Sequence, residues 1–577
     1  MEEQQKTEDS ALNKEDTDTL HVDQILRALN PRGRYQILHI ILVYLSVPST
    51  GFQLFSNVFI AKSIPHRCAG PPESSGWSDI FSDTGNLTIV QDKCKLILTD
   101  NSSVLDSASC VYGNEYQLPA DSSVISQFDL VCEMDWLARL SQTMVIVGQG
   151  IGAVLNTFLS DRFGRKTVLV SSSFGLLGCG LVVAYAPNAI VFVVFKFLIG
   201  GFQQGVVSVK TTFILEILPM EYRAAQSWLT GCNWAIGVML LAVIAFFFKH
   251  FSWRSLQTAL SLASLVGILQ LCFMDESLRW LIMNGKTKQA QKVIRRISRM
   301  NKKSEVTILE QFQEEFVLRK SDGVNDSKRS SKCIGEERPK RLSFLDILKV
   351  KRLLFNSVCL WFCWFTAALS FFTIYLTATS LSGDPYLNFG LTALMELPCN
   401  VFFFFCLNRM GRKRCLQTVF AVMGTGVVLA GMFKKFEESK SMFSVFTLLA
   451  SLTAMCGASG CFTLVFSYTP EMFPTNLRSQ AIGVCSFFSR IGGMLGPFAG
   501  LLAEEAVWAP GVTMGICACV ACLLIQFLPE TAKRELPQTI ADVQAWFKSD
   551  QDNGQDKSRH IRPELDPIID PNSSKPV

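Results

Sequence analysis

Long apolar segments recur along the chain and constrain its fold more than any other feature. A helix needs roughly 20 mostly apolar residues to cross a bilayer. Twelve segments meet this condition: 37–60, 138–159, 167–187, 189–215, 226–248, 256–274, 354–380, 386–407, 415–433, 441–468, 480–503 and 508–528. Charged residues make up only 18% of the chain and cluster between these segments, whereas about a quarter of a soluble domain is charged. The pattern predicts an all-α membrane protein with twelve transmembrane helices.

Lysine and arginine residues are concentrated in alternate loops, and this asymmetry predicts the orientation. Basic residues stay on the cytoplasmic side of a membrane. Lysine and arginine residues are dense near the end of the N-terminal segment 1–36, around 162–166 and in the loop 275–353. They are also dense around 409–414 and in the tail 529–577. We therefore expect both termini in the cytoplasm of a multi-pass protein.

The loop 61–137, on the predicted outer side, is acid-rich and carries two glycosylation sequons, at Asn86 and Asn101. Glycosylation of such sequons requires an extracellular or luminal loop. The same loop has four cysteines, Cys68, Cys94, Cys110 and Cys132. Four cysteines in an oxidising compartment predict two disulfides, and the sequence leaves three pairings open. Most other cysteines lie within the apolar segments and are expected to act as small apolar residues.

Two pairs of motifs recur at equivalent places and indicate an internal repeat. SDRFGRK at 160–166 follows the second segment, and LNRMGRK at 407–413 follows the eighth. Each half also has Glu, Pro and Arg at the same spacing after its fourth segment. We predict six-helix bundles over 37–274 and 354–528, with gating contacts at the cytoplasmic helix ends. The predicted gating residues are Asp161, Arg162, Arg165, Glu216, Arg223, Arg409, Arg412, Glu471 and Arg478.

The middle loop contains a basic amphipathic stretch, KTKQAQKVIRRISRM at 286–300. Its pattern predicts a helix lying along the membrane surface.

These motifs resemble the major facilitator superfamily, and within it the organic ion transporters of solute carrier family 22. The resemblance covers about 22–543 and rests on GRYQ at 33–36, PHRC at 65–68, the two basic loops, ESLRWL at 276–281, MELP at 395–398, YTPEMFPTNLRS at 468–479 and LPET at 528–531. It implies two pseudo-symmetric six-helix bundles, alternating access, a plasma-membrane location, a small organic ion as substrate and a monomeric transport unit without cofactors. The chain departs from the family pattern at Thr157 (usually Gly), Lys196 (usually Arg) and Asn408 (usually an acid).

Two charged residues within the apolar segments bear on the substrate. Ionisable residues inside a membrane are costly and usually functional. Arg490 resembles a position that is Asp in organic cation transporters and Arg in organic anion and carnitine-type transporters. A fixed arginine favours a carboxylate or sulfate. Glu396 is expected either to pair with Arg490 or to form a separate subsite for a cationic group, which would suit a zwitterion such as carnitine.

Aromatic side chains favour quaternary ammonium groups, and several lie in segments near these charges. The predicted substrate-binding residues are Arg490, Glu396, Trp364, Phe365, Phe371, Phe372, Tyr468 and Lys196.

Two other functions are compatible with the sequence. One is an organic cation carrier in which Glu396 neutralises Arg490, and the other is a receptor with a transporter fold that does not turn over. No nucleotide-binding loop, nucleophile or acid–base constellation indicates an enzyme, and no nucleic-acid partner is expected. The expected partners are the substrate and the surrounding lipid bilayer. Coupling of transport to an ion stays an open alternative.

Overall fold

The computed structural model describes residues 24–70, 88–100, 103–219, 223–304, 350–437, 441–474 and 477–531. Within these ranges, ten helices are long and apolar enough to cross a membrane, and an eleventh apolar helix, Ala509–Ile525, is shorter. The remaining predicted segment is also helical, so the twelve-helix prediction is confirmed.

The membrane helices are numbered here as spans in chain order. Spans 1 to 6 form the first half: Arg34–Phe55, Asp135–Phe163, Arg165–Ala184, Ala189–Ile217, Arg223–Phe247 and Trp253–Phe273. Spans 7 to 12 form the second half: Lys351–Thr377, Pro385–Leu394 with Glu396–Met410, Arg412–Phe436, Met442–Met472, Arg478–Leu495 and Ala509–Ile525. Short helices cover Asn57–Ile60, Val124–Gln127, Leu278–Met283, Thr287–Asn301 and Ala499–Glu505.

Span 8 is broken, where the sequence predicted one continuous helix over 386–407. Its two helices meet at Met395. Pro398 has no backbone N–H and cannot bond to the carbonyl of Leu394, which accounts for the break. Glu396 therefore lies in the first turn of the second helix, beside the break.

The turns at Gly164 and Gly411, which belong to the two basic loops, lie at one end of the bundle. This end is called here the basic face. The described residues of the insertion, 61–70, 88–100 and 103–134, lie at the other end, called here the insertion face. Some contacts between the halves lie near the insertion face. Phe59 of the first half stacks on Tyr386 of the second, with ring centroids 5.4 Å apart. Deeper in the bundle, the Thr143 hydroxyl donates to the Met494 carbonyl at 3.2 Å.

The described part of the insertion contains two small antiparallel sheets. Strands β1 (His66–Cys68) and β5 (Asn114–Tyr116) pair in one sheet, and β2 (Thr88–Gln91), β3 (Lys95–Asp100) and β4 (Ser103–Ser109) pair in the order β2-β3-β4 in the other. Of the three possible pairings, the disulfides are Cys68–Cys110 and Cys94–Cys132. The second attaches the three-stranded sheet to the residues that precede span 2. Both predicted sequon asparagines, Asn86 and Asn101, lie outside the described residues.

A third disulfide, Cys399–Cys456, joins spans 8 and 10. This pair is an exception to the expectation that most membrane cysteines act as small apolar residues. Their Cα atoms are 5.6 Å apart, within the range that a disulfide requires.

The basic helix Thr287–Asn301 packs its apolar face on protein, and its position along the membrane surface stays a prediction. Ala290, Val293, Ile294 and Ile297 are buried against Ile25, Leu26 and Leu29 and against the helix Leu278–Met283. Asn301 fastens its end, because its amide nitrogen donates to the Leu29 carbonyl at 2.6 Å and its oxygen accepts from the Tyr35 amide at 3.1 Å.

Candidate functional site

The first basic loop forms a charge cluster with two later segments of the same half. Gly164 has a φ of 107°, a conformation that glycine adopts without steric cost, and it turns the chain directly into span 3. Arg165 then pairs with Asp161 at 3.0 Å and with Glu216 at 2.9 Å. The Arg165 amide donates to Glu276 at 2.9 Å. The cluster thus joins the basic-face ends of spans 2, 3, 4 and 6.

The second half repeats this arrangement. Gly411 has a φ of 83° and begins span 9. Arg412 pairs with Glu471 at 3.4 Å, and its amide donates to Glu530 at 2.8 Å. The Glu471 carboxylate also accepts from the Thr531 hydroxyl at 2.5 Å. Two of the three contacts of the first half therefore recur, and they join span 9 to spans 10 and 12.

Glu276 and Glu530 were missed as site residues, although both stand in motifs of the resemblance. Burial raises the pKa of the Glu276 carboxyl, and bonds from the amides of Ser277, Lys166 and Arg165 oppose that rise. Extending the internal repeat would have found both residues, since Glu276-Ser and Glu530-Thr each follow the last span of a half.

The other predicted gating residues lie outside these clusters. Arg162 and Arg409 are exposed, and the side chain of Arg223 is outside the described part of the chain. Two guanidinium nitrogens of Arg478, Nε and Nη2, are buried without a partner among the described residues. The pairs named above all join helices within one half, so in this conformation they brace each bundle.

The two clusters are expected to differ in strength. Arg165 is buried and meets two carboxylates through its side chain, whereas Arg412 is half-buried and meets one. Breaking a buried pair costs about 3–5 kcal/mol, and an exposed pair is worth about 0–1 kcal/mol. Arg165→Met should therefore lower the melting temperature of the detergent-purified protein more than Arg412→Met. The exposed Arg162→Met is the control, and equal shifts for Arg165 and Arg412 would contradict the ranking.

Arg490 of span 11 reaches across to the first half. Its Nη2 donates to the side-chain oxygen of Gln204 in span 4 at 3.0 Å, and its Nη1 donates to that of Gln149 in span 2. Among the described residues, no carboxylate pairs with Arg490, so the predicted alternative of an Arg490–Glu396 pair is not what the structure contains. The guanidinium lies between the halves with two neutral partners.

Glu396 has a different environment in the second half. Its carboxylate is buried and accepts a hydrogen bond from the hydroxyl of Tyr375 in span 7. No basic side chain pairs with it in the described part of the chain. A buried carboxylate without a cation is costly, so such a group either binds a proton or pairs with a cationic partner.

Aromatic rings lie against the Tyr375–Glu396 pair. Tyr375 packs on Phe55 of span 1 with centroids 4.5 Å apart, and on Phe371 at 5.1 Å. Phe372 lies 6.1 Å from Phe55 and also packs beside Gly493, one turn from Arg490. The aromatic residues therefore form a continuous layer between the turn that carries Arg490 and the carboxylate of Glu396.

Lys196 of span 4 is fully buried in the first half. Its ammonium donates to the Ser56 hydroxyl at 2.8 Å and lies 5.3 Å from the centre of the Phe192 ring. Ser56 is adjacent to Phe55, so this cation lies next to the aromatic layer. It has no acidic partner among the described residues.

Three predicted binding residues are engaged elsewhere in the second half. Trp364 donates to the Thr469 hydroxyl at 2.9 Å, and Tyr468 donates to the Pro529 carbonyl at 2.5 Å. The Phe365 ring lies 6.2 Å from Phe362, and its carbonyl abuts Gly492. The polar groups of Trp364 and Tyr468 thus hold helices of the second half together.

The site residues thus form two poles with an aromatic layer between them. Arg490 offers two donors in the fork geometry that matches a carboxylate. Glu396 offers a negative charge beside aromatic faces, which together attract an ammonium group. Gln149, Gln204 and Tyr375 complete the two poles, and the sequence alone did not single them out.

Comparisons with known proteins agree with this architecture. Residues 104–541 match the family described as Sugar (and other) transporter. Solute carrier family 22 member 6-A of Xenopus laevis is 29% identical over 452 residues, covering 78% of this chain and 77% of the relative. Organic anion transporter 3 of Pongo abelii is 26% identical over 532 residues, covering 91% and 93%. Solute carrier family 22 member 3 of Rattus norvegicus is 27% identical over 555 residues, covering 90% and 95%.

Among solved structures, a partially occluded inward open conformation of the xylose transporter XylE from E. coli matches with a TM-score of 0.57 at 15% identity, covering 86% of this chain and all of that one. A second structure, of the major facilitator superfamily proton:xylose symporter XylE bound to 6-bromo-6-deoxy-D-glucose, matches with a TM-score of 0.53 at 15% identity, covering 88% and 99%. Both likenesses concern the fold. The chain belongs to the Sugar (and other) transporter family, has the major facilitator superfamily fold, and is a multi-pass membrane transporter similar to solute carrier family 22 members.

Proposed function

We propose that the protein transports small organic anions and carnitine-like zwitterions across the plasma membrane by alternating access. The observation that carries the proposal is Arg490, a cation between the two halves whose described partners are both neutral amides. An arginine in a medium of low dielectric constant attracts a carboxylate or sulfate and repels a bare cation. One relative is named an organic anion transporter, which supports the same substrate class.

The second pole extends the proposal to zwitterions. Glu396 and the rings of Phe55, Phe371 and Tyr375 suit a quaternary ammonium group, and Arg490 suits the carboxylate of the same molecule. Lys196 adds a positive charge near the aromatic layer and favours a net anionic cargo.

An organic cation carrier is the second candidate, and the environment of Glu396 favours it. Glu396 lacks a basic partner in the described ranges, so a cation could bind there without involving Arg490. The two candidates differ in whether Arg490 is needed.

Uptake by cells that express the protein tests the proposal. We expect saturable uptake of the anionic dye 6-carboxyfluorescein and of carnitine, above cells carrying an empty vector and above uptake of tetraethylammonium. Uptake of tetraethylammonium alone would favour the cation carrier. No saturable uptake of any of the three would favour a receptor that does not turn over, and either result would contradict the proposal.

We further propose that the basic face is cytoplasmic, together with both termini, and that Asn86 and Asn101 are glycosylated outside the cell. The support is the concentration of lysine and arginine at that face and the pair of sequons in the insertion. Treatment of the cell-expressed protein with an N-glycosidase should lower its apparent mass. The Asn86→Gln/Asn101→Gln double variant should be insensitive, and a mass change in that variant would mean that another site is used.

A further inference from the structure

The hydrogen bonds of Arg490 connect three membrane helices across the boundary between the halves. Arg490 belongs to span 11, Gln149 to span 2 and Gln204 to span 4. Gln149 is buried, while Arg490 and Gln204 are half-buried. A link of this kind must change when the two halves move relative to each other.

Both glutamines are oriented by bonds inside the first half. The Gln149 amide nitrogen donates to the Gln203 side-chain oxygen at 2.5 Å, and the Gln203 nitrogen donates to the Thr50 carbonyl of span 1 at 3.1 Å. The Gln204 nitrogen donates to the Ser208 hydroxyl at 3.0 Å. Because each amide nitrogen is engaged in the first half, each amide oxygen is free to face Arg490.

The two amide oxygens occupy the positions that a substrate carboxylate would use. They accept from Nη1 and Nη2, the two terminal nitrogens that can hold a carboxylate in a bidentate pair. The amides already bond to a charged guanidinium, but a carboxylate adds the Coulomb attraction between opposite charges to the two hydrogen bonds. A carboxylate that reaches Arg490 should therefore displace the neutral amides.

We propose that Gln149 and Gln204 are positioning residues that hold Arg490 between the halves in the absence of substrate, and that the substrate carboxylate displaces them. The proposal rests on the proposed role of Arg490 as the anion subsite. Displacement would remove the side-chain bonds of Arg490 to spans 2 and 4, and the Thr143–Met494 bond would be left between spans 2 and 11. The contacts nearer the insertion face, such as Phe59 with Tyr386, do not involve Arg490 and would persist.

Variants of the two glutamines test the competition through apparent KM for 6-carboxyfluorescein. Gln149→Glu places a permanent carboxylate beside Arg490, and we expect KM to rise at least tenfold. Gln149→Met and Gln204→Met remove one competing acceptor each. A hydrogen bond to a charged group is worth about 1.5–3 kcal/mol, and about 1.4 kcal/mol is a tenfold change in an equilibrium constant, so KM should fall by about tenfold. A purely structural role would change the amount of protein at the cell surface or Vmax and leave KM in place.

Gln142→Glu is the matched control. Gln142 lies two turns earlier on span 2, is buried, and donates to the Leu54 carbonyl at 3.0 Å within the first half. A carboxylate there does not face Arg490, and KM should stay at the wild-type value. Surface biotinylation normalises every variant.

The outcomes separate this inference from the proposed function. Opposite KM shifts for Gln149→Glu and the two methionine variants would support the positioning role. If Gln149→Glu does not reach the surface, the methionine variants decide alone. Uptake that depends on Arg490 but shows an unchanged KM in both methionine variants would overturn the inference and leave the function intact. Wild-type cells that take up no anion would overturn the proposed function itself.

Discussion

Replacement of Arg490 by aspartate is expected to reduce the uptake of 6-carboxyfluorescein and carnitine at least tenfold. The guanidinium offers two charge-assisted bonds, each worth about 1.5–3 kcal/mol, and 1.4 kcal/mol corresponds to a tenfold change in affinity. Aspartate removes both bonds and repels the substrate carboxylate. The same change should raise tetraethylammonium uptake, because the boundary between the halves would then carry a negative charge at this point.

Arg490→Lys is the matched control for charge. Lysine keeps the positive charge but has no planar fork, so it cannot form a bidentate pair with a carboxylate. We expect its uptake of the anionic dye to lie between the wild type and Arg490→Asp. Initial rates would be measured at equal surface expression. Anion uptake by Arg490→Asp at the wild-type rate would remove Arg490 from the binding site.

The fold followed from the sequence because the bilayer restricts what an apolar segment can do. A segment of about 20 apolar residues must be helical there, since its backbone polar groups have no water to bond. The predicted segment 189–215 and the observed helix Ala189–Ile217 agree closely for this reason. Helix breaks are less predictable: the sequence predicted one continuous helix over 386–407, and the structure has a break at Met395, about one turn before Pro398.

Tertiary contacts could not be predicted where several residues of one type compete. The four insertion cysteines gave no basis for choosing Cys68–Cys110, because each pairing closes a loop of ordinary length. The glutamines posed the same problem. Arg490 stood out as a charge in an apolar segment, whereas Gln149 is one of many amides in the spans, and only the fold places it beside Arg490.

The basic loops are an intermediate case. Their repeat located Arg165 and Arg412, and the structure joins each to a glutamate of the same half. The sequence did not reveal that Glu276 and Glu530 accept from the backbone of these loops, since backbone donors leave no pattern in side-chain identity.

Replacement of Glu396 by glutamine is expected to lower the uptake of carnitine but not that of the anionic dye. Carnitine uptake should fall about tenfold, whereas 6-carboxyfluorescein uptake should stay within about twofold of the wild type. A quaternary ammonium group has no N–H to donate, so it is held by charge and by aromatic faces, and a cation–π contact alone is worth about 0.5–2 kcal/mol. Glutamine keeps the size and the acceptor for Tyr375 but removes the charge.

Tyr375→Phe is the companion variant, because it keeps the ring that packs on Phe55 and removes only the hydroxyl that donates to Glu396. Its carnitine uptake should exceed that of Glu396→Gln, since the charge and the aromatic face both persist. Equal losses of carnitine and dye uptake in Glu396→Gln, at equal surface expression, would mean that Glu396 supports the second half structurally. A selective loss of carnitine would instead place the ammonium group at Glu396, and with Arg490 holding the carboxylate the two charges would together account for a preference for zwitterions.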